Sequence, residues 1–351
     1  MDIRKRMADY HIPGVSVTYF KDGKIKWNNG YGELKKDTSN SVNEHSIFHA
    51  CSISKMVTAL CTLKLVETGI LDLWVEANKY LTTWKIPDNE FTEKKSITLA
   101  HLLSHQAGFY DIDGSFEPYQ DGDPIPTNMD ILKGVTKYNR EEVQAKYVPE
   151  SNHSYSDAGF CVIEQVLKDT TGKNIVQLAE EYVFAPLQLK RTFFWEIGKG
   201  LSTKYDIVDC AVGHDCNGEI VNGQRAHYPN VGGAALWSTS KELSVLALDI
   251  VKSYHDGTGI ILSQDMAQRM LTPCLGKNYV GLGVFLGEDQ GQPYFMSQGW
   301  GVGMQCKLKV YYKEQRGITV MTNSDPGMEQ DRSLIGEIIQ EATDYHENKK
   351  R

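Results

Sequence analysis

Apolar and polar positions alternate along Gly14-Val-Ser-Val-Thr-Tyr-Phe20, and the run is rich in β-branched and aromatic residues, which predicts a strand. Lys21-Asp22-Gly23-Lys24 carries the Asp-Gly pair of a tight hairpin turn, and Ile25-Lys26-Trp27 opens a return strand towards Gly30-Tyr31-Gly32. The period then lengthens. Met56-Val-Thr-Ala-Leu-Cys-Thr-Leu-Lys-Leu-Val-Glu-Thr68 reads as a helix stopped by Gly69. From about residue 80, helical patterns and long polar loops take over. Helices are predicted over residues 99–103, 158–171 and 175–184, and a loop over 111–127, where Gly114, Gly122, Pro124 and Pro126 break any period. Strand signals return at residues 281–286, 294–297, 304–312 and 318–322, and residues 332–342 close the pattern as a helix.

Hairpins at both ends with helices between them predict an α+β class, not parallel βαβ units. The N-terminal hairpin is expected to join the late strands in one antiparallel sheet flanked by helices. Residues 1–80 plus 225–351 would form this discontinuous domain. Residues 81–224 would be an inserted, mostly helical domain, with an active site in the cleft between the two.

The 351 residues are 41% hydrophobic and 23% charged, with a net charge of -8. That balance fits a folded globular chain and argues against nucleic acid or an anionic membrane as partner. No apolar run approaches the roughly 20 residues of a spanning helix. MDIRKRMADYHIPG has a basic start but no apolar core, so no signal peptide is expected. The seven cysteines are odd in number and show no C-x-x-C, which favours a reducing, cytoplasmic setting.

Ser-x-x-Lys occurs twice. Ser238/Lys241 has a structural explanation, because Thr239-Ser-Lys-Glu242 is a capping box. Ser52/Lys55 lies in HACSISKM at a helix N-terminus, where the dipole disfavours a cation. Positions i and i+3 share a face, so Lys55 can reach Ser52. Apolar walls and the dipole together favour a neutral lysine, a base beside a potential nucleophile. Pro149-Glu-Ser-Asn-His-Ser-Tyr155-Ser156-Asp157 delivers a tyrosine just before a helix that Asp157 is expected to cap. Ser297-Gln298-Gly299-Trp300-Gly301-Val302-Gly303 is a Gly-rich strand end at which substrate could approach backbone N–H groups.

Other chemistries find little support. His101 and His105 have metal-ligand spacing without the Glu of H-E-x-x-H. Cys210, His214 and Cys216 have no standard zinc spacing. G-x-S-x-G and the P-loop are missing, and Gly299-x-Gly301-x-Gly303 leads into a strand. No metal and no cofactor is predicted; the partner is a small-molecule or short-peptide substrate.

In this order, the three motifs resemble the serine β-lactamase and penicillin-binding-protein superfamily, above all class C β-lactamases and their esterase and D-amino-peptidase relatives. Leu102-Leu103-Ser104-His105-Gln106-Ala107-Gly108 is similar to the family's L-L-S-H-T-S-G segment. Further landmarks are Ile12-Pro13-Gly14-Val15, Pro186-Leu187-Gln188-Leu189 and residues 232–239. The resemblance implies that Ser52 is acylated, with Lys55 as base partner and Tyr155 as proton shuttle. It also implies an oxyanion hole formed by the backbone N–H groups of Ser52 and Trp300. Two departures concern substrate. Ser297-Gln298-Gly299 replaces Lys-Thr-Gly or His-x-Gly, and Asp157 replaces the Asn of Tyr-x-Asn. A lost cation and a gained anion, at substrate-binding positions 157 and 297–299, favour neutral or cationic substrates. An ester or D-amino-acid-type amide is expected, with weak β-lactam turnover. The alternative is a penicillin-binding or sensor protein that does not turn over.

Overall fold

Every residue of the first strand except its last is buried. The computed structural model, which describes residues 1–202 and 204–348, shows why. In chain order the strands are β1 (Gly14–Lys21), β2 (Lys24–Gly32), β3 (Phe48–Cys51), β4 (Phe193–Phe194), β5 (Leu236–Ser238), β6 (Phe285–Asp289), β7 (Gln292–Gly301), β8 (Met304–Tyr311) and β9 (Arg316–Thr322). The helices are α1 (Ile3–Asp9), α2 (Ser54–Glu67), α3 (Leu99–Leu103), α4 (Asn128–Leu132), α5 (Asp157–Thr171), α6 (Ile175–Ala179), α7 (Val231–Ala234), α8 (Ser240–Asp256), α9 (Gln264–Met270) and α10 (Leu334–Asn348).

Six strands form an antiparallel sheet in the order β2-β1-β9-β8-β7-β6, so the N-terminal hairpin does join the late strands. Val15, Val17 and Tyr19 pack on one face with Met7, Ile318, Val320, Leu334 and Ile335, beneath α1 and α10. The polar positions of β1 face α8, not water. Ser16 Oγ and Thr18 Oγ1 lie 2.8 and 2.7 Å from Ser240 Oγ, and Ser244 Oγ lies 2.8 Å from Thr319 Oγ1. These hydroxyl bonds let an alternating strand be buried on both sides.

Three differences from the expected elements have local causes. Residues 281–284 are not strand: Gly283 has φ +78° and would press a Cβ to 2.2 Å from Ala59 Cβ, so the ladder begins at Phe285. The predicted helix at 175–184 ends as α6 at Ala179 and continues as a wider turn through Phe184. A small second sheet, β3-β5-β4, escaped the pattern because its strands are two to four residues long. It carries the chain into α2.

All seven cysteines are free thiols, and all but Cys216 are buried. Among the described residues, no helix is long and apolar enough to cross a membrane.

Candidate active site

Ser52 stands between the end of β3 and the start of α2. Cys51 before it has φ +47°, a left-handed conformation that non-glycine residues seldom adopt. This sharp turn is held by Ser54, whose Oγ donates to Cys51 O (2.5 Å) and accepts from Leu236 N of β5 (2.9 Å). α2 has no side-chain N-cap and no acid in its first turn. Every residue from Ser54 to Leu63 is buried, so the helix shows no amphipathic stripe.

Lys55 Nζ donates to Ser52 Oγ at 3.2 Å, to Asp157 Oδ1 at 2.7 Å and to Gly233 O at 2.9 Å. Its side chain is 4% exposed. Here the structure corrects the expectation of a neutral lysine. Desolvation does push the ammonium towards losing its proton, but the charge of Asp157 and the bonds to Asp157 and Tyr155 outweigh it. The net displacement is upward, so Lys55 rests as an ammonium. The missing first-turn acid is supplied from α5 by Asp157.

Asp157 does not cap α5. Ser156 does, its Oγ accepting from Gly159 N at 3.0 Å. Asp111, from the loop, adds a second cap: it accepts from Ser156 Oγ (2.8 Å), Asp157 N (2.5 Å) and Ala158 N (3.3 Å). Burial and the Asp157 charge lift Asp111 to about 6 against these bonds. With its N-terminus capped by others, α5 leaves the Asp157 carboxylate free to take Lys55 and Asn230 Nδ2, both on Oδ1 at 2.7 Å.

Tyr155 arrives one residue before the cap. Its ring lies over the ammonium, with Lys55 Nζ 4.8 Å from the centroid. His105 packs against it at 4.5 Å and Phe285 at 6.4 Å. His105 Nδ1 accepts Ser156 N at 3.2 Å, so this imidazole fixes both the tyrosine ring and the helix start. The residue keeps 39% of its surface, yet desolvation of the phenol raises its pKa beyond what Lys55 recovers. Tyr155 is therefore a neutral acid at rest. His101, four residues before His105, bonds Thr98 at the start of α3 instead.

The Gly-rich strand closes the site from the other side. A Cβ on Gly299 would sit 2.3 Å from Ala50 O and 2.9 Å from Cys51 Cβ; one on Gly301 would sit 2.9 Å from Cys51 Sγ and from Tyr228 OH. These two glycines let β7 lie directly against the segment bearing Ser52. Trp300 between them is 42% exposed. Ser297 is buried and faces Leu308 across the ladder. Gln298 pairs with Lys307, on the opposite face, where Lys307 Nζ meets Asp331 at 2.5 Å. The register thus offers no lysine of β8 to the Ser297 side.

Ser238/Lys241 is structural, as expected, but only half of the expected capping box forms, because the Glu242 carboxylate accepts from Lys190 N, Arg191 N and Thr192 Oγ1. Ser238 Oγ bonds Thr192 Oγ1 at 2.7 Å, Thr239 caps α8, and Lys241 pairs with Glu44 at the surface. Four partners went unnoticed in the sequence: Ser54, Asp111, Asn230 and the Gly233 carbonyl. Ser54 lies inside the Ser52–Lys55 motif and Gly233 within the 232–239 landmark, whereas Asp111 and Asn230 lie outside any motif.

An antiparallel sheet between helical layers, with Ser-x-x-Lys opening the central helix beneath a tyrosine, is the fold of penicillin-binding proteins and β-lactamases. The chain belongs to the beta-lactamase family, which it matches over residues 2–343. Protein flp of Staphylococcus aureus is 25% identical over 209 residues, 59% of this chain and 39% of that protein. A putative D-alanyl-D-alanine carboxypeptidase of Salmonella gallinarum is 24% identical over 249 residues, covering 66% of this chain and 54% of the relative. The chain spans about half the length of the curated relatives it matches. The D-amino acid amidase from Ochrobactrum anthropi SV3 shares the fold at TM-score 0.78 and 18% identity, with 99% of each chain covered.

Proposed function

We propose that this chain is a serine hydrolase that works through an acyl-enzyme on Ser52. The observation that carries the reading is the contact of Lys55 Nζ with Ser52 Oγ at 3.2 Å beneath the Tyr155 ring. A hydroxyl held by an ion-paired lysine and a neutral phenol is equipped for nucleophilic attack followed by protonation of a leaving group. Tyr155 hands its proton to the departing alcohol or amine and then orients the hydrolytic water. Backbone N–H groups of Ser52 and Trp300 receive the oxyanion, which the close fit of β7 on β3 supports. Residues 1–80 with 225–351 act as one unit and 81–224 as the insertion, with the site in the cleft between them.

The substrate is an ester or a D-amino-acid-type amide that is neutral or cationic near the scissile bond. Ser297 offers no charge to a carboxylate, Gln298 lies on the other face of the sheet, and Asp157, 20% exposed, borders the site with its own charge. A charge-assisted hydrogen bond is worth about 1.5–3 kcal/mol, so loss of the family's cation weakens carboxylate binding about 10- to 100-fold. β-Lactam turnover is accordingly slow.

The test is intact-protein mass and burst kinetics with a p-nitrophenyl ester and a fluorescent penicillin, on wild type and Ser52→Ala. A Ser52-dependent adduct that turns over supports the hydrolase. A stable adduct without turnover supports the penicillin-binding or sensor reading, which the uncharged Ser297 favours. No adduct with either reagent rejects both.

A further inference from the structure

We propose that Asp157 is the terminal acceptor of the Ser52 proton, reached through Lys55; this rests on the acyl-enzyme reading above. An ammonium has three N–H donors and no lone pair. In Lys55 these three serve four partners: Ser52 Oγ (3.2 Å), Asp157 Oδ1 (2.7 Å), Gly233 O (2.9 Å) and the neutral Tyr155 hydroxyl, so no N–H is spare and the nitrogen is not open to accept. In that state Lys55 donates to Ser52 and cannot take its proton. One N–H must leave first. Gly233 O is an amide carbonyl and far too weak a base. Asp157 Oδ1 is a carboxylate at ion-pair distance. The asparagine of Tyr-x-Asn could accept a hydrogen bond there but not a proton.

The step balances. Ser52 Oγ attacks the carbonyl carbon as its proton passes to Lys55 Nζ and a Lys55 proton passes to Asp157 Oδ1. The carbonyl electron pair becomes the oxyanion. On collapse the bond to the leaving group breaks, and that group takes the Tyr155 proton. The phenolate, bonded to Lys55, recovers a proton from Asp157 through the same lysine. All side chains return to their starting charge.

The titratable groups facing this pair are Tyr155, Asp111, His105, Cys51, Cys161 and Tyr228. Burial drives both thiols and both phenols up and His105 down, which leaves Asp111, near 6, as the neighbour that changes charge in the working range. The decisive readout therefore lies on the alkaline side.

The experiment is kcat/KM for p-nitrophenyl acetate from pH 7 to 9.5, with thermal melts, on wild type, Ser52→Ala, Asp157→Asn and Asp157→Glu. p-Nitrophenolate leaves without protonation, so the rate reports activation of Ser52. Asp157→Asn should lose roughly 100-fold at pH 7, the scale of general-base catalysis. Its residual rate should climb with pH, because Lys55 without its counter-charge gives up its proton more readily. Wild type should stay flat, and Asp157→Glu should recover most of the rate with a flat profile. Asp157→Asn within twofold of wild type, or a folded Asp157→Glu as slow as Asp157→Asn, overturns the relay. If Asp157→Asn does not fold, the Glu variant decides by the same two readouts. An active wild type with inactive Ser52→Ala leaves the acyl-enzyme reading standing whatever Asp157 does; equal rates for those two remove both.

Discussion

Glu164 on α5 accepts Gly232 N of α7 at 3.0 Å, and α7 in turn offers Gly232 O to Thr58 Oγ1 (2.7 Å) and Gly233 O to Lys55. Burial lifts this carboxyl from 4.5 to about 7, with the Gly232 N–H opposing and the Glu196 charge assisting. A carboxyl whose folded pKa is raised makes the folded state bind protons more tightly. Its stabilisation is present below about 4.5 and is lost as pH rises to about 7. Over that interval, at about 1.4 kcal/mol for each pH unit, the loss is about 3 kcal/mol. Partial solvent contact along the residue makes this a ceiling. Glu164→Gln keeps an acceptor for Gly232 N and removes the titration. The difference in unfolding free energy, Gln variant minus wild type, should rise by about 3 kcal/mol between pH 5 and pH 8. For a chain of this size that is about 4 °C in Tm. Urea titrations at half-unit pH steps measure it. Asp111 titrates equally in both proteins, so it drops out of the difference. Parallel stability curves across this range would refute the assignment of a desolvated carboxyl with a raised pKa beneath α7.

Two further substitutions probe the other walls of the site. Gly299→Ala must push β7 away from Ala50 and Cys51; overpacking of this kind costs about 1–3 kcal/mol, and ester kcat/KM should fall far more than the melt predicts. A melt lowered in step with unchanged kcat/KM would show that the close fit is only structural. Ser297→Lys restores the family's cation and should raise the acylation rate with benzylpenicillin about 10- to 100-fold, read by adduct formation in intact mass. An unchanged rate would show that charge at this position does not set β-lactam reactivity.

Much of the architecture was legible because its elements are long and regular. The β1–β2 hairpin announces itself in the Asp22-Gly23 turn, and the β7–β9 meander in its β-branched runs. Lys55, three residues after Ser52, stood out because a cation opposes the dipole at its helix N-terminus, whereas Tyr155 was marked by its polar loop and by the family resemblance. What stayed hidden was contact across chain distance. Asp111 lies 46 residues from the amide of Asp157 it holds, and nothing in the loop's composition marks it as a helix cap. The charge state of Lys55 was misjudged for the same reason: burial and the dipole can be read locally, whereas the Asp157 carboxylate comes from 102 residues away. The glycines of the Ser297–Gly303 stretch mark a close approach in the sequence, but the neighbours they pack against, Ala50 and Cys51, belong to another part of the chain and cannot be read from it.

The order of strands in the sheet has a consequence for biosynthesis. β1 is an interior strand flanked by β2 and β9, yet β9 leaves the ribosome about 300 residues later. At about 5–20 residues per second, the early hairpin waits about 15–60 s with one backbone edge unpaired. During that interval Val15, Val17 and Tyr19 also lack α10, their eventual cover. The nascent chain therefore presents an unpaired strand edge, and a stop codon ahead of residue 316 would yield a product that exposes this edge permanently.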